Sequence, residues 1–331
     1  MSDVVLVTGA GGFIGSAILR RMVRAVESSE ARFWDGTPVR HIVAMIRPGG
    51  SLERLEDLRP STAWSIAHAD LANSAELRTA IRQIQPRAIL HAALEASAYQ
   101  ERSTGLNKHV APIETLFEAL SQIPGARFVH TGSAWILKPG DQLDESSPID
   151  PHSPYARVKA EIEFSLSHLH RRTGVPWINL RLFNVFGKHE ARTRLLPYVT
   201  DRLTAGAVAE LSPGDQVRDF NDVDDMATVY LQALQSYRKA WNRTFHIGSG
   251  VGTTVRDFAR SIAEITGNDH LLRFGASATS DSRMPCLVAN PSLAVRLLNW
   301  NPSAASLRER ISENVRWWRP RNPVARAGSL T

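Results

Sequence analysis

A phenol and an ammonium group stand one helical turn apart at Tyr155 and Lys159, within Ser153-Pro154-Tyr155-Ala156-Arg157-Val158-Lys159. Ser153 suits an N-cap and Pro154 the first helical position, so the spacing predicts a helix start with Tyr155 and Lys159 on one face. A free tyrosine ionises near pH 10, too high for proton exchange at neutral pH, and an adjacent cation favours the phenolate and lowers that value. Tyr155 is therefore a candidate general acid or base. The same pair also occurs on ordinary helices. It gains meaning from Ser133, a hydroxyl residue just past a strand and about twenty residues upstream, and from a glycine-rich turn near the N-terminus.

That turn is Thr8-Gly9-Ala10-Gly11-Gly12-Phe13-Ile14-Gly15. Val4 to Val7 before it read as a buried strand, and Ile14, Ile18, Met22 and Val26 after it give a helix one apolar face. Gly9 permits the sharp turn, Gly12 lets a pyrophosphate approach the backbone, and Gly15 lets helix and strand pack closely. The helix start then points unpaired N–H groups at phosphate.

Strands are expected at His41–Ile46, Trp64–His68, Ala88–Ala93 and Arg127–His130, with a helix over Asn107–Leu120 and later strands near Trp177–Leu182 and Thr244–Ile247. Strands alternating with helices imply an α/β fold of the Rossmann type, a doubly wound parallel sheet with ligands along the carboxyl ends of its strands. A dinucleotide site expects an acidic residue at the end of the second strand to hold the adenosine ribose, whereas an arginine there accepts the additional phosphate of NADP. Arg47 takes that place with no Asp or Glu beside it, which favours NADP(H), with NAD(H) as the alternative; a solvated arginine is the plain reading. Asp70, followed by Leu71, either meets the adenine amino group or caps the helix beginning near Ser74.

At 331 residues, 43% hydrophobic and 22% charged, the chain suits one sizeable α/β domain carrying a smaller lobe. No apolar run reaches the roughly 18 to 20 residues that span a bilayer, and the start lacks the basic-then-apolar pattern of a signal peptide, so a cytoplasmic location without a membrane partner is expected. A single cysteine, Cys286, excludes an internal disulfide and a thiolate metal cluster. The net charge is +6, and from Arg308 onward six arginines and two glutamates carry +4 of it. A solvated tail explains that excess, and no basic stripe interleaved with aromatics points to nucleic acid.

These landmarks, in this order, resemble the extended short-chain dehydrogenase/reductase superfamily of NAD-dependent epimerases and dehydratases acting on nucleotide sugars. The resemblance makes Gly9, Gly11, Gly12, Phe13, Ile14 and Gly15 the cofactor loop, Asp70 with Leu71 the adenine contact, and Ala92 and Ala93 the segment lying along the cofactor, with Asn107 counted among its contacts. It makes Ser133, Tyr155 and Lys159 a catalytic triad. Arg181-Leu182-Phe183-Asn184-Val185-Phe186-Gly187 resembles the segment whose asparagine binds the substrate diphosphate. Arg218, in Arg218-Asp219-Phe220-Asn221-Asp222, and Arg283 resemble the arginines that share this task; either could instead be a surface salt-bridge partner. The resemblance implies hydride transfer between the nicotinamide and a sugar carbon while Tyr155 exchanges a proton with that carbon's oxygen. Lys159 would hold the nicotinamide ribose and Ser133 would bond the sugar oxygen, with no metal. A homodimer paired through the Leu106–Leu120 and Tyr155–His170 helices is also implied. The expected division is a dinucleotide-binding domain of residues 1–183 with 214–250 returning to it, a substrate-binding lobe of 184–213 and 251–320, and a tail of 321–331.

Departures from the family pattern select the reaction. A sugar 4,6-dehydratase places an Asp-Glu pair after the catalytic hydroxyl residue; Ala134-Trp135 stand here, and Leu137 replaces a common tyrosine. Together with Arg47, this favours an NADPH-dependent reductase of the 4-keto group of a nucleotide-linked 6-deoxysugar, with a nucleotide-sugar 4-epimerase holding NAD as the alternative. A non-enzymatic redox sensor would have little use for Ser133, Tyr155 and Lys159 together.

Overall fold

Short aliphatic runs build the centre of the molecule: Val5, Leu6, Val7, Ile42, Ala44, Ile89 and Leu90 are fully buried, as strands covered by helices on both faces must be. The computed structural model describes residues 3–94, 107–277, 284–301 and 306–319. The first elements are β1 (Val4–Thr8), α1 (Phe13–Glu27), β2 (His41–Ile46), β3 (Trp64–His68), α2 (Ser74–Ile84), β4 (Ala88–His91), α3 (Asn107–Leu120) and β5 (Arg127–Ser133). Next come β6 (Gly140–Leu143), α4 (Pro154–Thr173), β7 (Trp177–Leu182), β8 (Asn184–Phe186), α5 (Leu195–Thr204), β9 (Ala209–Leu211), β10 (Val217–Arg218) and β11 (Phe220–Asp222). The last are α6 (Val223–Gln235), β12 (Arg243–Ile247), β13 (Thr253–Thr254), α7 (Val255–Thr266), β14 (Leu272–Phe274), β15 (Cys286–Ala289), α8 (Ser292–Leu298) and α9 (Leu307–Trp318).

The main sheet has seven strands in the order β3-β2-β1-β4-β5-β7-β12, parallel throughout. Its direction of winding reverses between β1 and β4, and the crevice at the carboxyl ends of those two strands is where such sheets bind ligands. Ile18 and Met22 of α1, Met226 and Leu231 of α6, and Ala294 and Leu298 of α8 cover one face. Leu77 of α2, Leu116 of α3, and Val158 and Ile162 of α4 cover the other. The doubly wound sheet is therefore as expected.

Two strand boundaries differ from the sequence reading by more than one residue. Fourth-strand pairing stops at His91, because Gly9, at φ +69°, turns β1 out of the ladder even though its backbone still passes close to Ala93; Ala92 N still bonds Thr8 O at 3.2 Å. The fifth strand instead continues to Ser133, which pairs with Leu182 of β7. Asp70 does not cap α2. Asn73 does, its side chain accepting from Glu76 N at 3.2 Å, while Asp70 closes its own turn onto Ala72 N.

The smaller body contains a four-stranded sheet, β13-β10-β15-β6, flanked by the pairs β8–β11 and β9–β14. Helices α5, α7 and α9 close on Leu196, Phe258, Phe220 and Ile311. Pairing crosses the expected division of the chain: β6 and β10 join this sheet from segments assigned to the dinucleotide side, and α8 packs on the main sheet. Buried Asp219 fastens the crossing point. Its carboxylate accepts from Ser249 N and Oγ (2.9 and 2.6 Å), Gly250 N (2.9 Å), Ala289 N (3.2 Å) and Asn221 Nδ2 (3.0 Å).

Candidate active site

The turn after β1 has no room for side chains. Gly9 sits at φ +69°, and a Cβ on it would lie 2.7 Å from the Ala93 backbone, while one on Gly15 would lie 2.0 Å from Gly9 O. A Cβ on Gly11 would meet Ser51 O at 2.9 Å. Gly12 closes the turn, donating to Gly9 O at 2.8 Å, and then serves as the N-cap of α1 without any side-chain cap or any acidic residue in the first turn. Among the described residues the N–H groups of Phe13 and Ile14 thus meet no side-chain acceptor, and a diphosphate fits this helix end in both shape and charge. Past the carboxyl ends of the neighbouring strands come exposed Arg47 after β2, exposed Asp70 and half-buried Leu71 after β3, and half-buried Ala92 and Ala93 after β4, while Asn107 is the first residue of α3. These strand-end residues beside the glycine turn fit a nicotinamide dinucleotide.

Helix α4 begins as expected, with Ser153 Oγ accepting from Ala156 N at 3.1 Å and Pro154 in the first turn. Half-buried Tyr155 precedes buried Lys159 by one turn. Lys159 Nζ donates to Thr131 O at 2.7 Å, which ties α4 to β5 two residues before Ser133. Ser133 is 4% exposed, and its Oγ accepts from Trp135 N at 3.3 Å, so its hydroxyl proton remains free to be donated. Behind them Thr131 Oγ1 and Tyr230 OH of α6 lie 2.7 Å apart. Burial first, and then the nearby Tyr155, push the Tyr230 phenol above its ordinary value, so Tyr230 stays neutral.

Burial alone pulls Lys159 down to about 8, so the ammonium form still dominates at neutral pH. Two histidines share its surroundings. His91, whose Nδ1 lies 2.7 Å from Thr8 Oγ1, stacks on His130 with ring centroids 5.6 Å apart. Burial, reinforced by the Lys159 charge, lowers His91 to about 3 and His130 well below its usual range. Both are neutral at physiological pH, so Lys159 is the positive charge of this cluster. Further back, the buried Glu163–Arg181 ion pair packs against β12, where His246 accepts from Arg181 and donates its Nδ1 proton to Leu143 O.

A cavity of about 260 Å³ adjoins this site, with Trp135, Asn184, Glu190, Arg194 and Arg218 among its walls. Trp135 follows Ser133 by two residues and so joins the two regions. Arg218 is 1% exposed, which excludes the surface salt-bridge reading; its guanidinium lies 5.6 Å from the Trp135 ring centroid and bonds Val217 O at 2.8 Å. Asn184 Oδ1 is buried without a hydrogen-bond partner among the described residues. Asn184 and Arg218 are thus brought together from β8 and β10, while Arg283 lies outside the described residues. Sequence reasoning missed Tyr230, His130, Glu190 and Arg194. The last two sit in the polar stretch Lys188 to Arg194, which carries no periodicity that distinguishes a cavity wall from a surface loop.

Among the described residues, no group of His, Cys, Asp or Glu could hold a metal ion, and no helix is long and apolar enough to cross a membrane. The chain is 27% identical over 271 residues to a dTDP-glucose 4,6-dehydratase of Salmonella typhimurium, covering 74% of this chain and 71% of that one. It is 26% identical to a UDP-glucose 4-epimerase of Mycolicibacterium smegmatis, covering 95% of this chain and 98% of that one. The solved structure of DesIV, a dTDP-glucose 4,6-dehydratase from Streptomyces venezuelae with NAD bound, superposes with a TM-score of 0.83 at 23% identity, over 96% of this chain and 97% of that one. That likeness matches the Rossmann-type sheet described above. A sequence model described as the NAD dependent epimerase/dehydratase family matches residues 5–248, most of the chain, and the protein belongs to that family.

Proposed function

We propose that the protein catalyses NADPH-dependent reduction of the 4-keto group of a nucleotide-linked 6-deoxysugar. The observation that carries the chemistry is Lys159, charged, buried and anchored to Thr131 O one turn from Tyr155 and two residues from Ser133. A nicotinamide dinucleotide, when bound, supplies the hydride. Gly9, Gly11, Gly12, Phe13, Ile14 and Gly15 hold its diphosphate, and Asp70, Leu71, Ala92, Ala93 and Asn107 line its path. Ser133 donates its hydroxyl proton in a hydrogen bond to the sugar carbonyl oxygen and fixes that oxygen beside Tyr155. Tyr155 then gives its phenolic proton to the same oxygen, and the Lys159 ammonium stabilises the phenolate left behind. Asn184, Arg218 and Arg283 bind the nucleotide diphosphate, for which an arginine fork is suited.

Two features support reduction. Exposed Arg47 stands past β2 with no carboxylate beside it, an arrangement that accepts the NADP phosphate. Eliminating water across the neighbouring carbon needs an acid or base next to Ser133, and Ala134 and Trp135 offer neither. A 4-epimerase holding NAD is the second reading, favoured by a UDP-glucose 4-epimerase relative that aligns over nearly the whole chain. The proposal includes a homodimer through α3 and α4, supported by Phe164 of α4, which is 61% exposed; light scattering measures it.

The test is incubation with NADPH or NADH and a panel of nucleotide-linked 4-keto-6-deoxy sugars. Stoichiometric oxidation of NADPH supports reduction. Interconversion of nucleotide sugars with no net oxidation overturns it in favour of epimerisation.

A further inference from the structure

The Gly187–Arg194 segment brings to the cavity a carboxyl that the proposed chemistry leaves unused. Glu190 is 7% exposed; its Oε2 accepts from Gly187 N at 3.3 Å, and its Oε1 lies 3.5 Å from Arg194 Nε. The turn that carries it is clamped from two sides. Trp318 of α9 donates its indole N–H to Gly187 O at 3.3 Å, and Arg54 Nε donates to His189 O at 2.9 Å. The carboxyl is therefore fixed, whereas the Arg194 side chain is 61% exposed and has room to re-aim. Charges on the surrounding elements are Arg54, held on His189 O, and, on the cavity wall, Arg194 at the N-cap of α5 and Arg218 of β10. Lys188 is engaged by Asp224, Arg192 by Asp201 and Arg310 of α9 by Asp225, and the His189 ring packs on Trp317.

A diphosphate in this cavity sets two negative charges near a buried carboxylate. Like charge raises a carboxyl's affinity for protons, and here burial has already pushed Glu190 up to about 7, so the two effects act in the same direction. The inference rests on the reading of this cavity as the diphosphate site. We propose that Glu190 takes up one proton from solvent as the diphosphate enters, releasing Arg194 to the phosphates and turning its own carboxyl from acceptor into hydrogen-bond donor. Binding is then coupled to protonation, and the affinity for the nucleotide sugar falls as pH rises above neutrality.

Calorimetric titration of the wild-type protein and Glu190→Gln with UDP-glucose and dTDP-glucose tests this, in two buffers of different ionisation enthalpy at pH 6, 7, 8 and 8.5. Both probes are diphosphate diesters with no phosphate ionisation in that range. Expected for the wild type is an uptake approaching one proton at pH 8, little uptake at pH 6, and an affinity that drops roughly tenfold between pH 7 and 8.5. Glu190→Gln keeps an acceptor for Gly187 N and should bind without proton uptake. Arg194→Gln removes the carboxylate's partner, so Glu190 is protonated before binding and uptake at pH 8 shrinks while binding persists. Wild-type binding with no proton uptake, or equal uptake in Glu190→Gln, overturns the proposal. Failure of both probes to bind the wild type instead overturns the underlying diphosphate reading, and the proposal with it.

Discussion

Replacing Lys159 with methionine separates the stability cost of the site from its chemistry. The ammonium is held at about 8 in the fold and titrates near 10.4 in an unfolded chain. That gap is roughly 2.4 pH units, or about 3 kcal/mol at 1.36 kcal/mol per unit. Between pH 8 and 10.4 the unfolded chain binds the extra proton, so stability rises with pH across that window; below pH 8 the buried charge costs the fold the full amount. Lys159→Met lacks this dependence, and its lost bond to Thr131 O enters as a constant offset. Urea unfolding of both proteins, followed by circular dichroism at pH 7, 8, 9 and 10, reads the effect, since titrating groups distant from Lys159 cancel in the difference and only its neighbour Tyr155 adds to it. The wild type should gain on the variant by about 3 kcal/mol as pH approaches 10.4. Stability curves that stay parallel from pH 7 to 10 would refute the claim that Lys159 is charged and desolvated in the fold.

Gly15→Ala places a methyl group 2.0 Å from Gly9 O, so the turn must shift; a loss of about 1–3 kcal/mol is expected, and thermal melts should show no stabilisation by NADPH or NADH where the wild type shows one. Glu163→Gln leaves the Arg181 guanidinium buried without its counter-charge, and the urea midpoint should report a loss of about 3–5 kcal/mol. Arg218→Met removes the buried fork from the cavity; steady-state kinetics should show KM for the nucleotide sugar raised roughly tenfold or more with kcat changed much less, the signature of lost uniform binding.

Local rules made the main sheet and the nucleotide turn legible in the sequence. Buried parallel strands are short aliphatic runs, the glycine spacing follows from backbone contact between Gly15 and Gly9, and Ser153-Pro154 announces the start of α4 through capping chemistry. What escaped depends on contacts distant in sequence. The segment Gly140–Leu143 looks like an ordinary loop after Ser133 and becomes a strand only because β15, more than a hundred residues later, pairs with it. Asp70 and Asn73 both suit a helix cap, and the register of α2 decides between them. The substrate side was legible only in part: Arg218 and Asn184 stand together, while Glu190 and Arg194 join them through a turn fixed by Trp318. Polar residues in an aperiodic stretch carry no sign of whether they will be buried. Lys159 shows the same limit, since its spacing from Tyr155 was readable and its desolvation was not.

Tyr155→Phe tests most directly whether the Tyr155 phenol passes a proton to the sugar oxygen. Single-turnover mixing of the NADPH-loaded variant with a nucleotide-linked 4-keto-6-deoxy sugar, followed by the near-ultraviolet absorbance of the reduced nicotinamide, gives the rate of the chemical step. Cofactor and sugar affinities should match the wild type while that rate falls by about 10²–10⁴-fold. A Tyr155→Phe protein that oxidises NADPH at the wild-type rate would contradict the account.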